Sequence, residues 1–513
     1  MADESRINVS FFQELLTTVA EQGRALLPKS LFGHEPERGM QALVDALVSG
    51  RGEASGVAIA RQILNHYKLL NGDGRRAFFR YLAAAPVLKP DLDAVTEAAE
   101  NYVRDPNDTT LTRLQNAVEN PRQEFFRRLN LAPGATAEIV AMRRDLARMP
   151  KDDPAFAIVD NDLRHLFYSW FNRGFLVLRR IDWQTPAAIL EKIIQYEAVH
   201  EIKGWEDLRR RLDPADRRCF AFFHPSLIDE PLIFVEVALD DEISEAIAPV
   251  LNEERKAEPL REPTTAVFYS ISNCQEGLQG ISFGNFLIKQ VVEDLARELP
   301  SLTTFVTLSP VPLFSRWLDR LIADDTEGVL TDEDRKVLHA LRDPEWNERQ
   351  GDDEALKSTL LALAAHYFIR AKSNRNKPVD PVARFHLGNG ARLERINWLG
   401  DVSNKGLRQA HGLMVNYRYL IKDIEKNHEA YANEGTVATS RAVRSLLRPP
   451  KKNAIEHGKV LMLPTLSSSS PSPEEEPEST AGKLLKAVAI GKSASSEKEP
   501  QPAKKVEGKK EKP

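Results

Sequence analysis

The chain has 513 residues, of which 42% are hydrophobic and 28% charged, and its formal net charge at pH 7 is −5. This length predicts two or three domains, each with its own hydrophobic core. The small acidic excess argues against a dedicated nucleic-acid binder, which needs a strongly basic surface. Because no run of about 18 apolar residues occurs, the sequence predicts no membrane-spanning helix and no membrane partner.

The first residues mix acids with apolar side chains, which argues against a secretory signal or a transit peptide. The two cysteines, Cys219 and Cys274, are too few for a disulfide framework or a thiolate zinc site. These features predict a cytoplasmic protein. The sequence contains no HExxH segment and no clustered set of His, Asp and Glu, so we expect no metal site.

Residues from about 8 to 180 predict one amphipathic helix after another. Apolar residues recur at helical spacing, for example at Ile139, Met142 and Leu146. Short turn-forming segments separate these runs, which is typical of an antiparallel helical bundle. The arginines of this half, such as Arg143, are accompanied by acids, which favours a solvated helix face.

The pattern changes near Asp182 to short runs rich in Val, Ile and Phe. Three runs bounded by Pro, Asp or Asn predict strands, at 219–223, 232–239 and 266–271. A helix at 284–299 and a further strand at 305–308 follow. The order of strand, loop, helix and strand predicts a mixed α/β sheet.

Further along, residues 330–371 predict helix, residues 383–400 predict strands around a Gly-Asn-Gly turn, and residues 418–428 predict helix again. The last residues are rich in Ser, Pro, Glu and Lys and cannot bury enough apolar surface to fold. We therefore predict an α+β chain in three parts: a helical bundle over 1–183, a mixed α/β domain over 184–460 and a disordered tail over 461–513.

The loop between the strand at 266–271 and the following helix contains three glycines. Glycines let backbone N–H groups turn to one side, and a helix N-terminus adds a positive dipole, so the loop predicts a cradle for a pyrophosphate. The pattern resembles the acyl-CoA loop of the GNAT acetyltransferase fold, with Gln279, Ser282 and Gly284 at its three defining positions. An ordinary glycine-rich turn is the alternative.

Two more segments contain candidate catalytic side chains. Ser309 ends a strand and precedes two prolines, and ligands of open α/β sheets lie beyond the carboxyl ends of strands. His386 lies just before the Gly-Asn-Gly turn, and histidine is well suited to move a proton near neutral pH. A turn-forming role for Ser309 is the alternative, and His224 competes with His386. A Ser–His hydrolase is a further alternative, although the chain has no G-x-S-x-G segment.

Taken in order, several segments resemble the malonyl-CoA decarboxylase family. They are Val267–Ser272, Gly277–Gly280, Phe286–Lys289, Leu308–Pro312, Phe385–Gly390, Arg395–Trp398 and Gly412–Tyr419. The resemblance implies a helical amino-terminal domain that mediates homo-oligomerisation, usually as a tetramer, and a catalytic domain with the GNAT-like fold. It also implies decarboxylation of malonyl-CoA to acetyl-CoA and CO2 without a cofactor.

The resemblance assigns roles to individual residues. It implies a catalytic serine at Ser309, a catalytic histidine at His386 and a further active-site tyrosine at Tyr419. It implies a CoA-binding loop formed by Gln279, Gly280, Ile281, Ser282, Phe283, Gly284 and Asn285. Some relatives have a glutamate where this chain has Ser282, so no carboxylate role is inherited there.

Loss of CO2 from the malonyl group leaves a thioester enolate, which the site must stabilise and then protonate. We expect His386, with Tyr419 or a loop N–H, to stabilise the thioester oxygen and His386 to deliver the proton. Ser309 then orients the carboxylate or relays the proton. The alternatives are a GNAT-type acyltransferase, which would yield an acetylated acceptor, and a non-catalytic acyl-CoA-sensing scaffold, which would bind malonyl-CoA without forming product.

Overall fold

The computed structural model describes residues 36–49, 52–254, 262–281, 283, 287–325, 328–343, 345–349, 353–373 and 376–448, together with Thr18. Within these ranges, no helix is long and apolar enough to cross a bilayer. The tail that the sequence predicts from residue 461 lies outside the described residues. The described chain forms two compact units, of which the smaller consists of residues 90–119.

The smaller unit is a pair of helices, Leu92–Arg104 and Asp108–Val118, that contact each other. Asp91 caps the first helix by accepting hydrogen bonds from two N–H groups of its first turn. Asn107 and Thr110 form a capping box at the start of the second helix. Such caps satisfy backbone donors that have no partner within a helix, and they explain where each helix begins.

The larger unit begins with a helical bundle. Its helices are Pro36–Val48, Glu53–Leu69, Gly72–Ala84, Pro121–Leu129, Ala135–Ala147 and Pro154–Trp170. Their apolar faces meet around buried aromatic side chains such as Phe79, Phe126 and Phe167. The sequence predicted helix to about residue 180, but a strand begins at Val177, because Asn172 and Gly174 interrupt the helical run.

Within the described ranges, eight strands form one mixed sheet in the order β1-β2-β3-β4-β5-β8-β6, with β7 paired to β8. The strands are β1 Val177–Ile181, β2 Arg217–Phe223, β3 Pro231–Asp240, β4 Thr265–Asn273, β5 Thr304–Thr307, β6 Ser309–Pro310, β7 Arg392–Asn397 and β8 Met414–Arg418. Strands β1 to β4 are antiparallel, whereas β4 and β5 are parallel because the helix Leu287–Glu298 connects them. This topology confirms the predicted mixed sheet and agrees with the GNAT-like fold that the resemblance implied.

Alternate residues of β2 contact opposite sides of the sheet. Phe220 and Phe222 belong to the same hydrophobic core as the helical bundle, whereas Ala221 packs with the helices Ala187–Tyr196 and Trp205–Leu212. One continuous core therefore joins the bundle to one face of the sheet.

The other helices are Ala248–Leu251, Phe314–Ala323, Asp332–Leu338, Trp346–Arg349, Glu354–Ile369, Pro381–Gly388, Asn404–Ala410, Ile424–Glu434 and Arg441–Ser445. Short 3-10 turns are Pro86–Leu88, Arg173–Phe175, Glu276–Leu278, His339–Arg342 and Ile421–Asp423.

The segment around His386 is the helix Pro381–Gly388, so the strand prediction that began at residue 383 was wrong there. Asp380 caps this helix by accepting hydrogen bonds from two first-turn N–H groups, and the proline in the first turn needs no such partner. Within the predicted strand segment 383–400, the strand is β7, which begins at Arg392. The helix predicted from residue 418 starts at Ile424, because β8 extends to Arg418.

Gly390 follows the His386 helix in a conformation that favours glycine. Its φ is +81°, and a Cβ atom there would lie 2.2 Å from the carbonyl oxygen of Ile424. Gly328 also has a positive φ, +63°, but among the described residues other than its chain neighbours no atom lies within 4 Å of an added Cβ. Both positions therefore require a left-handed backbone conformation, but only at Gly390 would a Cβ atom also clash with a neighbouring residue.

We expect Gly390→Ala to lower the free energy of unfolding more than Gly328→Ala does. The left-handed conformation costs both variants about 1–2 kcal/mol, and only Gly390→Ala must also displace the backbone at Ile424. Urea denaturation of both variants measures the difference. Equal losses would show that the backbone near Ile424 moves away at no cost.

Candidate active site

Ser309 lies where β5 has ended and β6 begins, and it is buried. Its Oγ lies 3.1 Å from Nε2 of His386 and 2.9 Å from Oγ1 of Thr307. Thr307 and Ser309 are two residues apart in extended chain, so their side chains lie on the same side of the sheet. Leu308, between them, packs in a hydrophobic cluster on the other side.

The imidazole of His386 has a partner at each ring nitrogen. Nε2 faces Ser309, and Nδ1 lies 2.8 Å from the hydroxyl oxygen of Tyr419. The ring also stacks on Tyr417, with the centroids 4.6 Å apart and the planes inclined by 23°. Tyr417 belongs to β8, and the N–H of Tyr419 donates to the carbonyl of Phe305 in β5 at 2.8 Å. Strand β8 therefore fixes the orientation of the ring.

A hydrogen-bonded chain thus runs from Thr307 through Ser309 and His386 to Tyr419, here called the Ser–His–Tyr chain. Oγ1 of Thr307 also accepts the N–H of Tyr417 at 3.1 Å. Each hydroxyl carries one proton and can also accept one, and a neutral imidazole does the same through its two nitrogens. Because the hydroxyl of Ser309 donates to Oγ1 of Thr307, Ser309 can accept a hydrogen bond from Nε2–H of His386, whose Nδ1 can then accept from the hydroxyl of Tyr419.

Burial determines the protonation states in this chain. Desolvation lowers the pKa of His386 to about 3 and raises the pKa of Tyr419 well above its usual value. Both side chains are therefore neutral at pH 7. Within the described ranges, the two ring nitrogens of His386 contact hydroxyls and not a carboxylate, so the arrangement differs from a Ser-His-Asp triad.

A cleft of about 540 Å³ lies against the helix Pro381–Gly388 that carries His386. Its volume is in the range of small-molecule sites, ~300–1,000 Å³. Four residues of the expected CoA loop line it: Gln279, Gly280, Ile281 and Phe283. The other three, Ser282, Gly284 and Asn285, lie outside the described residues. Arg384, from the His386 helix, adds a cationic side chain to the wall.

The competing histidine, His224, lies at the end of β2 and is not part of the Ser–His–Tyr chain. Its ring packs against Phe171, and its Nδ1 accepts the N–H of Ser226 at 3.1 Å. Within the described ranges, no group of three or more His, Cys, Asp or Glu residues is placed to hold a metal ion.

Sequence reasoning missed three side chains of this region: Thr307, Tyr417 and Arg384. Thr307 lies two residues before Ser309, and Tyr417 lies two residues before Tyr419. Because side chains two residues apart in a strand lie on the same face, this spacing could have placed Thr307 and Tyr417 beside the candidate residues. Arg384 lies two residues before His386 in a helix, and nothing in the local pattern distinguishes it from a surface arginine.

Profiles of one protein family match most of the chain. The malonyl-CoA decarboxylase N-terminal domain matches residues 88–171, and the malonyl-CoA decarboxylase C-terminal domain matches residues 174–457. The chain belongs to the malonyl-CoA decarboxylase family. The mitochondrial malonyl-CoA decarboxylase of Anser anser anser is 37% identical over 354 residues, covering 64% of this chain and 70% of that protein.

Two solved structures of malonyl-CoA decarboxylases extend the similarity to the fold. The protein from Rhodopseudomonas palustris is 53% identical with a TM-score of 0.77, covering 80% of this chain and 99% of that chain. The protein from Agrobacterium vitis is 55% identical with a TM-score of 0.76, covering 80% of this chain and 100% of that chain. The resemblance to the malonyl-CoA decarboxylase family is therefore confirmed, while the roles expected of Ser309, His386 and Tyr419 stay predictions.

The low pKa of His386 leads to a test that needs no substrate. The pKa is about 3 in the folded chain against 6.5 for the free side chain, so below about pH 6.5 the unfolded state binds more protons. The stability that neutral His386 contributes is complete above about pH 6.5 and is lost as the pH falls toward 3.

We therefore expect His386→Asn to lose less free energy of unfolding than the wild type when the pH falls from about 7 to 4. Urea denaturation at several pH values measures the two slopes, with His339→Asn at an exposed position as the control. Identical slopes for wild type and His386→Asn would mean that the folded protein protonates His386 as readily as the unfolded chain does.

Proposed function

We propose that this chain decarboxylates malonyl-CoA to acetyl-CoA and CO2. The observation that carries the proposal is the buried, neutral Ser–His–Tyr chain, whose His386 is on the helix that forms a wall of the cleft, in a member of this family. The glycine-rich loop lines the same cleft and has the composition of an acyl-CoA cradle.

The reaction breaks the bond between the carboxylate carbon and the α-carbon of the malonyl group. The carboxylate leaves as CO2, and the electron pair of the broken bond forms the enolate of acetyl-CoA. One proton must then add to the α-carbon, and each turnover takes that proton finally from solvent. The active site of the protein therefore has to keep water away from the enolate and supply one proton to its α-carbon.

We assign the delivery of the proton to Ser309, with His386 and Tyr419 behind it. Nε2 of His386 faces Oγ of Ser309 at 3.1 Å, and its other nitrogen contacts Tyr419, so a proton that leaves the ring passes through the serine. From the sequence we expected His386 to deliver the proton, with Ser309 either orienting the carboxylate or relaying the proton. A relay is supported by the position of Ser309 at the end of β5, where ligands of such sheets bind.

The neutrality of the site supports decarboxylation in a second way. A cation paired with the malonyl carboxylate would stabilise the bound substrate more than the transition state, in which the charge is dispersed. Neutral His386 and Tyr419 form no such pair. We assign Arg384 to the CoA phosphates, because it lines the cleft together with Gln279 and Gly280.

We further propose the organisation that the resemblance implies. Residues 1–183 form an oligomerisation domain and residues 184–460 the catalytic domain of a tetramer that acts in fatty acid metabolism. The two family profiles meet between residues 171 and 174, which supports a boundary in this region. Cys219 and Cys274 are free and buried, which suits the reducing cytoplasm, although the curated relatives are named as mitochondrial.

The deciding experiment mixes the purified chain with malonyl-CoA and a chelator, without nucleotide or biotin, and follows acetyl-CoA by mass spectrometry. We expect stoichiometric acetyl-CoA, and we expect Ser309→Ala and His386→Gln each to lower kcat by about 10²–10⁴-fold because the proton path is cut. Acyl-CoA affinity is expected to change little. Ser358→Ala and His339→Gln, at exposed positions, are the matched controls.

Intact malonyl-CoA after incubation with folded wild-type protein would refute the decarboxylase activity. An acetylated product from an added amine would instead favour an acyltransferase. Full turnover by His386→Gln would leave the activity standing and remove the role assigned to the Ser–His–Tyr chain.

Thr307 provides a second test of the relay. Thr307→Val keeps the shape of the side chain but removes the hydroxyl that contacts Ser309 and accepts the N–H of Tyr417. We expect kcat to fall at least about tenfold, with KM within about twofold, since an unsatisfied buried group costs ~1–3 kcal/mol. Thr307→Ser keeps the hydroxyl and is expected to retain most of kcat. Equal losses in the two variants would assign Thr307 to packing alone.

A further inference from the structure

The helical bundle contacts the loop that lines the cleft. The 3-10 turn Glu276–Leu278 packs on the helix Ala135–Ala147. The contact is so close that a Cβ atom on Gly277 would lie 2.0 Å from the carbonyl oxygen of Val140. The helix behind the loop therefore leaves no room for a side chain at Gly277.

Arg143 makes the central contact of this interface. Its Nη1 donates to the carbonyl oxygens of Gly277 at 2.8 Å and of Gln279 at 3.0 Å. Its Nε donates to Asp160, on the helix Pro154–Trp170, at 2.8 Å. The side chain of Arg143 is only 6% exposed. The sequence had suggested a solvated arginine here, and the structure shows a buried one that joins two bundle helices to the loop.

These hydrogen bonds orient the peptide groups of the loop. In a trans peptide the N–H of one residue points opposite to the carbonyl of the residue before it. Because the carbonyl of Gln279 points at Arg143, the N–H of Gly280 points to the other side of the loop. Gly280 lines the cleft, and its own carbonyl accepts the hydroxyl of Tyr168 from the bundle at 3.0 Å.

From this geometry we infer that Arg143 is a positioning residue for acyl-CoA, so the helical bundle supports the binding site from behind the loop. The inference rests on the proposed function, since it takes acyl-CoA as the occupant of the cleft. Arg143 acts from behind the loop: it holds the carbonyl of Gln279 back, which turns the N–H of Gly280 toward an anionic ligand, whereas the N–H groups of Leu278, Gln279 and Ile281 donate to carbonyls within the loop. Tyr168 supports the same loop one residue further on.

The test replaces Arg143 by Met, which keeps the length of the side chain and removes its donors. We expect KM for malonyl-CoA and Kd for acetyl-CoA to rise about tenfold, because charge-assisted hydrogen bonds to the loop are lost. We expect kcat to stay within about twofold, because the Ser–His–Tyr chain is untouched. Hydrogen exchange of residues 276–281 is expected to become faster.

Two controls separate loop positioning from general destabilisation. Arg144→Met changes the neighbouring, more exposed arginine, which contacts Asp145 rather than the loop. Asp160→Asn removes the charge partner of Arg143 but keeps an oxygen that accepts from its Nε. Both are expected to retain the wild-type KM, and Asp160→Asn alone is expected to lose stability.

A folded Arg143→Met variant with wild-type KM, Kd and hydrogen exchange would overturn the inference. If that variant does not fold, Tyr168→Phe decides, because Tyr168 is exposed and its loss is mild. A rise in KM of about threefold supports the inference, and an unchanged KM overturns it. Failure of the proposed function is distinct, because the wild-type protein itself would then not turn over malonyl-CoA, whereas failure of the inference is seen only when the variants are compared with the wild type.

Discussion

The hydrogen bonds across the end of β5 hold the candidate site together. There β8 contributes the N–H of Tyr417 to Thr307, and Tyr419, just beyond β8, bonds both to Phe305 and to His386. Each group is buried, and a buried polar group without a partner costs about 1–3 kcal/mol. The pairing of β8 with β5 therefore aligns the hydroxyls of Ser309 and Tyr419. These hydroxyls in turn hold the imidazole of His386 in place.

The same burial determines the chemistry that the site can support. A carboxylate beside the imidazole would stabilise its protonated form, as in a Ser-His-Asp triad. Here hydroxyls occupy both ring nitrogens and His386 is neutral. A neutral relay does not activate a serine strongly as a nucleophile, whereas the role proposed for it requires only that one proton pass to a carbanion. That requirement matches the single proton that a decarboxylation consumes.

The two halves of the chain are less separate than their sequence profiles suggest. The profiles divide between residues 171 and 174, yet one hydrophobic core runs from the bundle into the sheet. Arg143 and Tyr168, from the amino-terminal side of that boundary, hold the loop that lines the cleft on the other side. A helical half that holds this loop can influence acyl-CoA binding without contributing a group to the chemistry.

The sequence alone predicted the helical bundle and strands β2 to β5, because apolar periodicity is a local property. Ser309 and His386 were separate candidates, and the contact between them spans 77 positions along the chain. Tertiary structure alone decided that Arg143 is buried and that the His386 ring contacts Tyr419. These contacts join residues separated by 134 and 33 positions along the chain. Burial depends on what packs against a residue, and one strand or helix does not specify its neighbours.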